Sequence, residues 1–250
     1  MKSIKVGARR RLAPTFFILL LLTPLVSAKE SGVWRGEIPV QFLKEVDEIV
    51  AHPTLIRRPK PQSIYLSADF YGFLLQDWDV AYRLAKTLDV KGYEVRKLDQ
   101  GWRVILSPRT SVDVLPLAHR NGRSFFLAKG EHHGKVIQHL NLRAFLLVEY
   151  HPLAIENVSA SPSGEAAGTE NEMTSYIRIE QFFLAAIAKI TIPFVGERID
   201  RKLASILQDI EQVSRRIREN PAAVREAIEK SSQFTPAERQ KLKAFLDPTA

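Results

Sequence analysis

LNLRAFLLVEY, residues Leu140 to Tyr150, is the stretch on which the fold turns. Its even positions read Leu140, Leu142, Ala144, Leu146, Val148 and Tyr150, and its odd positions Asn141, Arg143, Phe145, Leu147 and Glu149. A period of two puts each set on one side of an extended strand, so one side is wholly apolar and needs a cover from elsewhere in the chain. Counted from Val136, this is the longest extended segment. At roughly 3.3 Å per residue it would span about 50 Å if continuous, which predicts a bend at a bulge.

The same period runs upstream. Tyr93 and Val95 alternate with Glu94 and Arg96, and Asp99-Gln100-Gly101 makes a turn. Trp102, Val104 and Leu106 alternate with Arg103 and Ile105 until Ser107-Pro108-Arg109 breaks the run. A third strand carries Val112 and Val114 to about His119. Asn121-Gly122 then predicts a type I′ hairpin, because that turn needs positive φ at both central positions. Arg123 to Lys129 is the fourth strand. Downstream, Pro152 to Glu172 is rich in Ser, Ala, Gly and Glu and reads as a mobile loop, and alternation resumes over Met173 to Ile179. Six strands in an antiparallel meander result.

Helical spacing flanks this meander. Ile38 to Ala51 places Phe42, Leu43, Val46, Ile49 and Val50 on one stripe and ends at His52-Pro53. Arg57-Arg58-Pro59-Lys60-Pro61 reads as an extended, exposed basic linker, and Ile64 to Leu66 as a short strand. Ser67 and Asp77 cap two successive short helices reaching Gln76 and Leu88. The longest helix is expected over Gln181 to Glu219, kinked or broken at Pro193 and Gly196. Its first part, Phe182 to Val195, is apolar nearly all round. Fourteen residues are too few to cross a bilayer, so this part is either a buried helix or one lying in a membrane interface. Asn220-Pro221 opens a helix to Lys230, and Thr235-Pro236-Ala237-Glu238 is a capping box opening another to Leu246.

The chain has 250 residues, 36 Lys+Arg against 28 Asp+Glu, and no cysteine. Its formal charge of +8 suggests a nucleic-acid partner until its position is examined. Lys2, Lys5, Arg9, Arg10 and Arg11 precede Lys29 with no acid among them, and the remainder carries 31 basic against 28 acidic side chains. A net +3 gives no reason to expect nucleic acid. A basic head, the apolar run FFILLLLTPLV from Phe16 to Val26, and Val26-Ser27-Ala28 form the layout of a secretory signal peptide. Eleven helical residues cover only about 16 Å of a ~30 Å hydrocarbon core, so cleavage near Ala28 and a periplasmic or secreted mature protein are expected. An uncleaved N-terminal anchor is the alternative. Without cysteine there is no thiol nucleophile, thiol redox centre or cysteine-bound metal.

A helix pair (Ser67 to Leu88), an antiparallel meander (Tyr93 to Ile179) and a long helix follow one another in the order of the helix-grip fold. Over Ile64 to Ile217 the chain resembles the START-like, polyketide cyclase and Bet v 1-type superfamily. The resemblance implies an α+β fold in which a curved antiparallel sheet of about six strands wraps a long C-terminal helix, with extra helices here at both ends. It divides the chain into a signal peptide (1–28), an N-terminal helix and basic linker (29–63), a helix-grip domain (64–219) and a helical extension (220–250). It also implies a cavity for a lipid or other hydrophobic small molecule, with Trp102, Leu142, Leu146, Phe183 and Ile187 as the lining.

Catalytic signatures are missing: the sequence contains no GxSxG, HExxH, Walker loop or GxGxxG. Adjacent His132 and His133 would point to opposite sides of a strand and have no further ligand at metal spacing, so they read as solvated turn residues. His119, beside the Asn-Gly turn, has no partner recognisable by spacing. Asp77 and Asp79 read as a cap and a first-turn charge. No catalytic residue, metal or cofactor is expected. The resulting expectation is an exported binding protein for a hydrophobic ligand, with possible peripheral membrane contact through the basic linker. The alternatives are a cyclase- or hydrolase-type enzyme on the same fold and an envelope-associated interaction protein with a filled core.

Overall fold

The computed structural model of the chain describes residues 34–90, 93–133, 140–154, 167–180 and 185–247, with backbone alone at 154, 167, 185–195 and 198. Residues 1–35 and 36–250 are separate units, and the architecture below is that of the second. Eight strands make one antiparallel sheet: β1 (Leu55–Arg57), β2 (Gln62–Ile64), β3 (Glu94–Lys97), β4 (Trp102–Ser107), β5 (Thr110–Arg120), β6 (Arg123–His132), β7 (Leu140–Ala154) and β8 (Ala167–Ile179). Their order is β1-β8-β7-β6-β5-β4-β3, with β2 also paired to β8. The meander expected from the alternation is β3 to β8.

The residues on either side of the expected linker supply the sheet's other edge, while Arg58 to Pro61 itself lies outside the strands. Leu55 is buried and pairs with Ile177, Ile64 pairs with Thr169, and the Arg57 guanidinium forms a 2.6 Å ion pair with Asp200. Pro59 and Pro61 fall between these two short strands, where no ladder N–H is needed. The loop expected over Pro152 to Glu172 is also shorter than its composition suggests. The β7–β8 ladder continues to Ala154 opposite Ala167, leaving 155–166 outside the described residues. Nor does β7 carry the expected bulge. The register shifts sit in its neighbours instead, at Ile105/Ser107 between β4 and β5 and at Pro116/Ala118 between β5 and β6. Asn121 (φ 50°) and Gly122 (φ 71°) form the predicted turn.

Among the described residues, six helices flank the sheet: α1 (Val40–Ala51), α2 (Ala68–Gln76), α3 (Trp78–Thr87), α4 (Ala185–Glu219), α5 (Pro221–Lys230) and α6 (Pro236–Leu246). The caps stand where the residues announce them. Ser67 accepts from the Phe70 N–H, Asp77 from Val80 and Asn220 from Ala223, and Thr235 with Glu238 closes a capping box. Glu238 also binds Arg83 of α3 through both oxygens, which together with Thr235 holds its carboxyl down at about 2. Of the expected kink or break at Pro193 and Gly196, the break is absent, since α4 is one continuous helix through both. The Arg57 guanidinium passes close over Gly196, where a Cβ would lie 2.5 Å from its Nη2.

Helices cover the sheet on both sides. On one side, here the inner face, Trp102, Val104, Val114, Phe126, Ala144, Val148 and Ile177 join α2, α3 and the later turns of α4 in the main core. Val213 and Ile217 of α4, Val224 and Ile228 of α5, and Phe245 of α6, stacked on Phe70 at 4.8 Å, extend it. The outer face is not the solvated side that its charges suggest. α1 packs on β7 and β8, and Val46, Ile49, Phe125, Leu127, Phe145 and Tyr176 are all buried. Arg143 pairs at 2.5 Å with Glu180 and at 3.5 Å with Glu45, while Arg123 pairs at 2.7 Å with Glu37. The odd-position charges of the meander therefore become the border that seats α1.

Phe145 is fully buried and lies 6.2 Å from the Tyr176 ring. Phe145→Ala is expected to cost about 3–5 kcal/mol of unfolding free energy in urea titrations. Leu147→Ala, on the same face but half-buried, should cost much less. Equal small losses would mean that α1 does not cover this face in solution.

Candidate functional site

The strand ladders determine which side chains share the inner face. Across from Leu142, Ala144, Leu146, Val148 and Tyr150 of β7 stand Ile179, Ile177, Ser175, Met173 and Asn171 of β8. On the other flank, Gly130, Ala128, Phe126 and Ser124 of β6 oppose Leu142 through Val148. Leu140, Leu142, Leu146 and Met173 remain half-buried, although Ala144, Val148 and Ile177 around them are closed off. Leu142 reaches across Gly130, where a Cβ would stand 2.9 Å from its Cδ1.

Of the lining residues expected from the sequence, Leu142 and Leu146 lie on this face, two strand repeats apart with Ala144 between them. Trp102 shares the face but is core: it is buried and stacks on Trp78 of α3 with ring centroids 5.6 Å apart. Phe183 lies outside the described residues, and Ile187 is described only as backbone within α4.

Polar groups cross this face as well. Thr169 donates to the Leu66 carbonyl at 2.8 Å. Asn171 Oδ1 and Ser175 Oγ are buried with no hydrogen-bond partner among the described residues. At the hairpin end of β5 and β6, Nδ1 of His119 lies 2.7 Å from Ser124 Oγ, and its Nε2 lies 3.1 Å from the Tyr150 hydroxyl. α2 comes close enough to enclose this chain because residue 72 is glycine: a Cβ there would sit 2.5 Å from the Tyr150 oxygen. Burial pushes the His119 pKa down, and burial followed by the charge of Asp69 pushes Tyr150 up, so both groups favour their uncharged forms.

With His119 uncharged, the three side chains hold three protons for two hydrogen bonds. If Tyr150 donates to Nε2, Nδ1–H donates to Ser124 and the serine proton is left to donate elsewhere; in the other tautomer the tyrosine proton is left. The chain therefore always retains one hydroxyl donor. Sequence reasoning passed over His119, yet a signal was present. A two-residue turn at Asn121-Gly122 pairs Arg120 with Arg123 and His119 with Ser124, and the structure shows this register.

A hollow of about 250 Å³ adjoins this chain, lined by Leu75 and Gln76 of α2, Leu117 and His119 of β5, and Ser124 and Phe126 of β6. A second hollow, of about 450 Å³, lies by Thr54, Arg143, Arg178 and Glu180. Its arginine cations are already engaged, Arg143 with Glu180 and Glu45 and Arg178 with the Glu48 carbonyl, so it belongs to the seat of α1. His132 accepts or donates at 2.8 Å to Thr110, and no cluster of three metal-ligating side chains exists among the described residues.

A two-strand edge, a helix pair, a six-strand meander and a long C-terminal helix together give the chain a helix-grip fold. No family model matches the chain, and no curated protein matches it. Similar solved structures include a START superfamily protein from Mycobacterium smegmatis, with 11% identity, TM-score 0.40, and coverage of 65% of this chain and 98% of that one. A hypothetical protein from Helicobacter pylori has 10% identity and TM-score 0.39, covering 65% and 89%. Truncated norcoclaurine synthase from Thalictrum flavum has 13% identity and TM-score 0.35, covering 65% and 95%.

Burial of neutral His119 has a pH signature. Its folded pKa is lowered, so between that value and about 6.5 the unfolded chain binds a proton that the folded chain does not, and stability falls as pH falls through this window. Urea titrations at pH 7.5 and 5.5 should show a larger loss for the wild type than for His119→Gln. Equal losses would mean that His119 is not held neutral.

Proposed function

We propose that the chain is exported through its N-terminal signal and works in the periplasm or outside the cell, holding a lipid or other hydrophobic molecule against the inner face of its sheet. The observation that carries the ligand half of this reading is the half-buried group Leu140, Leu142, Leu146 and Met173, which stays partly accessible on the apolar inner face beside the closed-off Ala144, Val148 and Ile177. A fully filled core would bury such side chains completely, because protein interiors pack as densely as organic crystals. Desolvation of the ligand against this face supplies the affinity, at about 25 cal/mol for each Å² of apolar surface removed from water. The unpartnered Asn171 and Ser175 oxygens beside it suit a molecule that is not purely hydrocarbon.

Support for export comes from the basic head, the eleven-residue apolar run and the small residues ending at Ala28. No described helix is long and apolar enough to cross a membrane. Protein purified from the envelope of an expressing cell should begin at or near Lys29, and native mass spectrometry should show an added mass that organic extraction removes. Leu146→Trp, which fills the half-open region, should lower retention of that molecule at least about tenfold while leaving the fold intact. An intact Met1 in the membrane fraction would overturn the export half. A bare polypeptide mass that takes up no fatty alcohol, fatty acid or phospholipid would overturn the ligand half.

A further inference from the structure

We propose that the hollow beneath α2 is a recognition site for an uncharged hydrogen-bonding head group, a hydroxyl, ester or amide on a short apolar tail, with Ser124 and His119 as its partners. The inference rests on reading the inner face as a ligand surface. It adds which head groups the protein accepts and which it rejects.

Three features show that this hollow is built. Ser124 is only 1% exposed, and its described side-chain hydrogen bond goes to His119, which leaves hydrogen-bonding capacity on its oxygen. The hollow has apolar walls in Leu75, Leu117 and Phe126, and Phe126 stands opposite Leu146, so it adjoins the half-buried apolar group. Leu117 is the extra residue at the bulge between Pro116 and Ala118, a device that locally separates two strands and re-aims what they carry. Gly72 then allows α2 to close down on Tyr150 and hold the His119 ring in place.

Charge selects the head group. None of the lining residues carries a fixed charge, and His119, the one titratable group among them, is held neutral by burial. The nearest polar neighbours disfavour an anion further: Tyr150 already resists ionising, in part because of Asp69. A carboxylate placed here would lose part of its hydration and find no cation among the lining residues to pair with, which costs more than a neutral group accepting or donating one hydrogen bond. At about 250 Å³ the hollow lies below the ~300–1,000 Å³ of sites that enclose a whole drug-sized molecule, so it suits a head group and a few carbons.

The test is displacement of the neutral fluorophore N-phenyl-1-naphthylamine from the purified protein at pH 7.5 by 1-octanol, octanamide and octanoate. Octanol and octanamide should displace it at concentrations at least about tenfold lower than octanoate, and Ser124→Ala should weaken octanol about fivefold while Ser124→Thr restores it. Octanoate competing as well as octanol in the wild-type protein would overturn the proposal without recourse to any variant. Equal octanol affinity in Ser124→Ala, His119→Phe and wild type would do the same. If the fluorophore binds but no octyl compound displaces it, the hollow is not a head-group site. If neither fluorophore nor octyl compound binds, the inner face is not a ligand surface and the inference falls with that reading.

Discussion

The β7–β8 ladder, unbroken from Leu142 opposite Ile179 to Ala154 opposite Ala167, is the constraint on which the rest of the structure depends. Side chains alternate with a period of two, so a slip of one residue would turn Arg143 and Glu149 into the inner core and expel Leu142, Leu146 and Tyr150. Both faces enforce this register. On the outer face, Arg143 meets Glu45 of α1 and Glu180, while Phe145 and Tyr176 close beneath Val46 and Ile49. On the inner face, Tyr150 meets His119 and the edge of the Tyr71 ring of α2. β8 also anchors β1 and β2, so Arg57 and its ion pair to Asp200 of α4 are placed by the same ladder.

The meander, the Asn-Gly turn and the helix caps were legible because each is a local signal: an alternation, a positive-φ pair, a side-chain acceptor three residues ahead of an N–H. What was missed is tertiary. The alternation of β7 leaves its odd face, with Arg143 and Glu149, without an assigned cover, yet Phe145 between them is fully buried, because a helix a hundred residues earlier in the chain settles on that face. Arg58 to Pro61 is the linker that its proline and charge announce, but the strand pairing on either side of it was not legible. Two short edge strands need only Leu55 and Ile64 turned inward, which composition does not register.

The candidate site divides in the same way. Periodicity placed Leu142 and Leu146 on the inner face, since a face-defining alternation names the residues on the face. Trp102 was assigned to the lining on the same grounds and proves to be core, because its stacking partner Trp78 comes from a helix whose placement periodicity cannot give. His119 and Ser124 needed one further step, counting cross-strand pairs outward from the turn. Tyr150 could be added only once the sheet's order was known. The buried polar groups of this face stand beside accessible apolar ones, and that combination distinguishes a surface suited to an amphipathic molecule from an ordinary closed core.

Methyl NMR on protein carrying ¹³C-labelled leucine, saturated with a deuterium-free fatty alcohol, tests this most directly. Intermolecular contacts should appear at the Leu142 and Leu146 methyls and be absent from Leu127 and Leu147 on the α1 side of the same strands. Contacts confined to Leu127 and Leu147, or none to any leucine of the sheet, would contradict a ligand site on the inner face.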